Sequence, residues 1–241
     1  MNEIAAPMLD PSIVSQARLA AQAYPDLKIL CPWCRDSVLG LAFEEHAQEH
    51  EQKTTTMKDA RSFGVWVDAI WKGIDGVGDD ALASAAGFIL QAGSVVTAGN
   101  GGSASLASHF AQAVMKPDYK AGGAARAAVC VNDNVPTLTA HANDGGWTDA
   151  LLETAKPLFQ AMPRCVVVLF SSSGKSENVV RLARYALEKG HKVIAFTGFD
   201  GGELKKLATV SLHVESKDYE CIEPCHSALM HRVQYHLRRL G

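Results

Sequence analysis

No apolar stretch of this sequence approaches the roughly 18 residues needed to cross a bilayer. Its first twenty residues carry acidic groups and prolines in place of a basic start followed by an apolar run. These absences argue against membrane insertion and against a secretory leader, so a cytoplasmic location is expected. Charge of either sign is also not in excess: the formal net charge is −3. That balance gives no general attraction to nucleic acid or an anionic membrane, and any phosphate must be held by a local site. Six cysteines in 241 residues are too few for a disulfide framework. Cys130 and Cys165 stand inside β-branched apolar runs, where a buried, inert thiol is expected. Aromatics are scarce at 7%, but 47% of the residues are hydrophobic and 20% charged, which suits an Ala/Val/Leu-rich α/β protein and not a disordered chain. The length fits one sizeable domain and a small extra module.

Asp10-Pro11 can open a first helix, which fades before Pro25. The polar stretch Glu51-Gln52-Lys53-Thr54-Thr55-Thr56 reads as a linker, giving an N-terminal module over residues 1–53 and a main domain over 54–241. From Asp59 to Gln91 apolar residues recur at helical spacing, with a break at Gly76-Val77-Gly78, so two amphipathic helices are expected. Beyond Gly93 the pattern changes. Short apolar runs begin at Val95, Ala127, Cys165, Val193 and Val210, and helical stretches separate them. Apolar strands alternating with helices argue for a parallel sheet covered on both faces, with ligands at the carboxyl ends of the strands.

The N-terminal module contains Cys31-Pro32-Trp33-Cys34 followed by His46 and His50. Two thiols two residues apart and two imidazoles one helical turn apart suit a tetrahedral, structural zinc, in a unit resembling a C2H2 finger whose gap is one residue short. Leu39, Leu41 and Phe43 can supply its core. A redox CxxC with unrelated histidines is the alternative. Glu44, Glu45, Glu49 and Glu51 beside the histidines would repel phosphates, so a structural or protein-contact role is expected over nucleic-acid binding.

Two loops run from a strand end into a helix start: Gly99-Asn100-Gly101-Gly102-Ser103-Ala104-Ser105 and Ser171-Ser172-Ser173-Gly174-Lys175-Ser176. Glycine lets the backbone approach an anion, helix-start amides point at it, and hydroxyls add donors without net charge. Such chemistry suits a sugar phosphate. One such loop alone is more often a plain turn and cap, and two in register strengthen the ligand reading. Gly174-Lys175-Ser176 is not a nucleotide P-loop, because Leu169 stands where its first glycine belongs, and the first loop lacks the dinucleotide glycine spacing.

These loops, together with His109-Phe110-Ala111 and Thr197-Gly198-Phe199-Asp200-Gly201-Gly202, resemble the phosphoheptose isomerase branch of the SIS-domain family, from about Asp59 to the C-terminus. The resemblance implies a flavodoxin-like α/β sandwich, with a five-stranded parallel sheet between helices. It also implies a homotetramer with active sites between subunits. Phosphate would be held by Ser103, Ser171, Ser173 and Ser176, with Asn100, Gly101, Gly102 and Ser172 in the same loops and Asn143-Asp144 near the substrate. A turn or helix cap is the other reading of that last pair.

Ketose–aldose isomerisation moves a proton between neighbouring carbons through an enediol, so it needs a base and stabilisation of charge. In the resembled family, a glutamate four residues after the histidine of the first helix and a histidine on the last helix transfer the proton, and both can bind zinc. Here His109 is present but the glutamate position is Ala113. Glu223 stands where the family has glutamine, and His231 matches the catalytic histidine. His109, Glu223 and His231 would form a second zinc site in which Glu223 partly compensates for Ala113. The rival for His231 is a solvated helix face shared with His226, His236 and Arg232. Cys221 and Cys225 flank Glu223 as helix-packing residues or extra thiol ligands. Three functions stay open: a phosphoheptose isomerase-like enzyme; a non-catalytic sugar-phosphate-binding scaffold or regulator, similar to the replication-initiator-associating relatives; and a zinc-finger regulator that senses a metabolite.

Overall fold

The structure, a computed structural model, describes residues 63–116 and 125–240, together with Ser15, Arg18, Lys28–Leu30 and Ser37–Leu39. Two compact units divide between Trp66 and Val67. In the first, β1 (Lys28–Leu30) pairs antiparallel with β2 (Ser37–Leu39), Ile29 facing Val38. Within the helix expected from Asp10, the described residues Ser15 and Arg18 are helical; the rest of that segment, the linker, and Cys31, Cys34, His46 and His50 lie outside the described residues.

Two helices open the second unit, α1 (Phe63–Asp75, its first turn assigned to the other unit) and α2 (Asp79–Gln91), with the expected break at Gly76–Gly78. Strand and helix then alternate: β3 (Ser94–Gly99), α3 (Gly102–Met115), β4 (Ala127–Cys130), α4 (Val135–Gly145), α5 (Trp147–Ala161), β5 (Cys165–Ser171), α6 (Glu177–Glu188), β6 (Lys192–Thr197), α7 (Gly202–Leu207), β7 (Val210–His213) and α8 (Tyr219–Leu240). All five strands from β3 onward are parallel, in the order β4-β3-β5-β6-β7.

Continuous apolar strands are explained by a sheet covered twice. Side chains alternate faces along a strand. In β5, Val166, Val168 and Phe170 enter one core with residues of α2, α3 and α8, while Cys165, Val167 and Leu169 enter the other with residues of α5 and α6. Phe170 and Phe196 stack with ring centroids 4.3 Å apart, and His226 of α8 closes on both rings edge-on. Buried ring contacts of this kind add about 1 kcal/mol beyond the area they bury. Cys165 and Cys130 are buried as expected, and burial pushes the Cys165 thiol up to about 11.

The strand order reverses direction between β3 and β5, the point at which open parallel sheets place their ligands. Register brings the strand ends level there, with Gly99 opposite Phe170 and Ser171 opposite Thr197. Among the described residues no helix is long and apolar enough to cross a membrane.

Candidate active site

The first loop leaves β3 at Gly99 and enters α3 at Gly102. A side chain at Gly99 would press against the Ser103 carbonyl, the contact lying at only 2.6 Å, and Gly101 has φ +54°. Glycine is therefore required by space at one position and by backbone angle at the other. Asn132, just past β4, holds the loop as a strand neighbour would: its Oδ1 accepts from the Gly99 amide at 3.1 Å and its Nδ2 donates to the Gly99 carbonyl at 2.9 Å. Ser103 is buried in the first turn of α3.

Beyond β5, Ser171 and Ser172 are buried, Ser173 Oγ accepts from the Lys175 amide, and Ser176 is the residue before α6. The turn is built on Gly174, φ +63°, whose missing side chain leaves room for the Gly201 carbonyl. Main-chain bonds tie this loop to the one after β6: Gly198 N donates to Ser172 O at 2.7 Å, and Leu204 N to Gly174 O at 3.1 Å. Lys175 and Asp200 pair across the rim at 2.6 Å, which holds the Asp200 carboxyl below the usual carboxylate range. The Ser172 hydroxyl is buried with no partner among the described residues. Helix-start amides from α3 and α6 and the hydroxyls between them form a neutral anion cradle.

Asn100 takes a different place from the one expected of it. Its amide exchanges two hydrogen bonds, each 2.9 Å, with the amide of buried Asn178 in the first turn of α6. Both polar ends of Asn100 are thereby engaged in fastening the first loop to the second. Asn143 and Asp144 are exposed on the last turn of α4, hydrogen-bonded to each other at 3.1 Å.

Proton-transfer candidates come from α3 and α8. His109 and His231, 122 positions apart in sequence, lie with ring centroids 5.1 Å apart at an interplanar angle of 73°. Both are exposed. Glu223 is found elsewhere on the same helix: a side chain placed on Gly102 would come within 2.8 Å of its Oε2. Gly102 with Glu223 and His109 with His231 occur in the same order along both helices, so α3 and α8 run side by side in one direction. Eight residues of helix separate Glu223 from His231, a rise of about 12 Å. Among the described residues no three His, Cys, Asp or Glu side chains gather to hold a metal ion. His109, Glu223 and His231 thus do not fit a zinc ion within one chain, because helical rise carries the carboxylate to the cradle end. Ala113, one turn beyond His109, supplies no ligand and no base.

Two residues that sequence reasoning left without a site role set the roll of α8. Ile222, fully buried, packs where a side chain on Gly198 would otherwise stand, and this directs its neighbour Glu223 toward Gly102. His226 bonds through Nε2 to the Thr197 carbonyl at 3.1 Å, and burial pulls its pKa down to about 4, so it is neutral. Only the i+4 spacing of His226 and Met230 on the inner face of α8 hinted at burial. Cys221 and Cys225 are buried beside Gly73, and burial together with Cys221 pushes Cys225 up to about 12; they are packing residues.

A parallel sheet with two serine-glycine loops at its switch point, and paired histidines on two helices packed against one face, is the arrangement of a phosphate-binding α/β domain. The SIS domain family model matches residues 67–198, and the chain belongs to that family. It is 31% identical over 168 residues to the phosphoheptose isomerase of Helicobacter pylori, covering 68% of this chain and 85% of that protein. It is 39% identical over 128 residues to the lincomycin biosynthesis protein LmbN of Streptomyces lincolnensis, covering 51% of this chain but only 46% of that protein. In structure it resembles phosphoheptose isomerase from Neisseria gonorrhoeae at a TM-score of 0.62 and 27% identity, over 76% of this chain and 99% of that one. The five-stranded parallel sheet flanked by helices is the fold that the resemblance implied.

Proposed function

We propose that this protein is a sugar-phosphate isomerase of the phosphoheptose isomerase type, acting on sedoheptulose 7-phosphate or a related ketose phosphate. The observation that carries the reading is the His109–His231 pair, brought to a ring separation of 5.1 Å by two helices distant in sequence, one of which starts at the anion cradle. Ser103, Ser171, Ser173 and Ser176, with the loop amides, hold the phosphate. This fixes the sugar chain so that its carbonyl end meets the helix face above the sheet. A base removes the proton from the hydroxyl-bearing carbon next to the carbonyl, giving an enediol. Returning a proton to the neighbouring carbon completes the exchange with no net gain or loss of atoms. His231 serves as this base and acid. His109 donates to the developing oxyanion, and Glu223 orients the sugar hydroxyls at the cradle end.

Proton NMR of the full chain with sedoheptulose 7-phosphate in deuterated buffer tests the reading. Deuterium entry into the sugar, with an aldose product, is expected, and a fall of roughly 10²- to 10⁴-fold is expected in His231→Ala. Silence in the wild type, with binding of the sugar phosphate measured on the same sample, would sink it. Ala113 is the observation favouring that second reading, a sugar-phosphate-binding scaffold or regulator. A pull-down that retrieves a regulatory protein alongside absent turnover would speak for it.

The finer expectations belong to the same proposal. Exposed Val67 and Trp71, one turn apart on α1, are apolar area that a tetramer would bury. Zinc at Cys31, Cys34, His46 and His50 would staple the N-terminal module as a protein-contact surface, and its removal by a chelator should abolish that contact. A cytoplasmic location agrees with all of these.

A further inference from the structure

We infer that Gln234 is a positioning residue that holds His231 in its Nδ1–H tautomer, leaving the lone pair on Nε2 for proton transfer; the inference rests on the isomerase reading above. Gln234 follows His231 by three residues, so the two side chains are neighbours on α8. Gln234 Oε1 lies 3.1 Å from His231 Nδ1. A carbonyl oxygen only accepts, so Nδ1 is the donor, and a neutral imidazole with its hydrogen on Nδ1 has its acceptor at Nε2.

The two partners differ in freedom. His231 is exposed, whereas Gln234 is 8% exposed, and its α8 neighbours Val233 and Met230 belong to the core. The glutamine is therefore the fixed member and sets the ring. A free imidazole favours hydrogen on Nε2, the form that lacks a base at that nitrogen, so a fixed acceptor at Nδ1 changes what His231 can do. Gln234 also keeps its Nε2 buried with no partner among the described residues. A half-satisfied buried amide lowers stability, and a methionine of the same length would fill the space without that penalty. Local rules broken in this way concentrate at functional positions.

The test uses the full chain with ring-¹⁵N histidine, the His231 signals being assigned by their loss in His231→Gln. Two-bond nitrogen–proton correlations report which ring nitrogen carries the hydrogen. Wild type should show Nδ1–H. Gln234→Met, which keeps the volume and removes the acceptor, should move His231 to the Nε2–H form and lower kcat roughly 10- to 100-fold with KM unchanged. Gln234→Glu, an obligate acceptor, should restore Nδ1–H and recover kcat. An Nε2–H signal in wild type, or a tautomer unmoved in Gln234→Met, would overturn the inference. If the tautomers respond as stated while no form turns over ketose phosphate, the positioning stands and the isomerase reading falls.

Discussion

The loop cradle and the histidine face, separated along α8 by the eight residues from Glu223 to His231, are built by different means. The cradle is main chain: Gly99 is crowded by Ser103, Gly174 meets Gly201, and Asn132 and the Asn100–Asn178 amide pair lock the loops. At Gly99 and Gly174 an added side chain would collide with main chain, and at Asn132, Asn100 or Asn178 a truncation would leave a polar group unpaired. The histidine face is instead a meeting of two helix surfaces, with His109 and His231 exposed and Ala113 beside them. A helix surface accepts substitution without disturbing the core, so residues there can vary while the loops keep their pattern. The proposed seats of binding and of chemistry are thus separable in structural terms.

Substitutions of different size test that separation. The largest effect is expected in the cradle. Gly174→Ala adds a left-handed strain to a direct collision with the Gly201 carbonyl and should lower stability by about 3 kcal/mol or more, read as a drop in the urea midpoint. An unchanged midpoint would show that the loops after β5 and β6 are not locked together.

Next comes a pH effect from the helix that carries His231. His226 is neutral in the fold with a pKa near 4, against about 6.5 when unfolded. Between those values the unfolded chain binds more protons, so stability is full above pH 6.5 and is lost as pH falls toward 4. The loss is of order 3 kcal/mol. Denaturation across this range should show that slope in wild type and a flatter one in His226→Gln; equal slopes would remove His226 as the anchor of α8.

Asn178→Ala should have a smaller effect, about 2 kcal/mol, by leaving Asn100 unpaired. The Asn100→Ala, Asn178→Ala double variant should lose much less than the two single losses added together. Strict additivity would mean the amide pair does not join the loops. Smallest of all is Asp200→Asn at the exposed rim, which should leave the unfolding midpoint where it is, since exposed ion pairs hold little.

The five strands of the main sheet were legible because each is an apolar run bounded by turn residues, and the observed spans differ from the expected ones by a residue or so at the ends. The division of residues 135–161 into α4 and α5 at Gly146 was not resolved in the pattern, since the apolar spacing continues across the break. The serines and glycines of the cradle were legible as chemistry, but the role of Asn100 was not. Its partner Asn178 lies 78 positions away, and an asparagine next to a phosphate loop looks like a ligand until its two bonds are seen.

The sequence by itself determined the fold class, the two serine-glycine loops and the absence of a carboxylate at Ala113. Those depend on local preferences: apolar period, glycine at strained turns, and the chemical identity of one side chain. Tertiary structure alone decided that His109 and His231 meet, that Glu223 stands at the cradle and apart from them, and that Gln234 is buried while its Oε1 lies against the His231 ring. These outcomes depend on how α8 is rolled against α3 and the loop at Gly198, and that roll follows from packing among residues far apart in the chain.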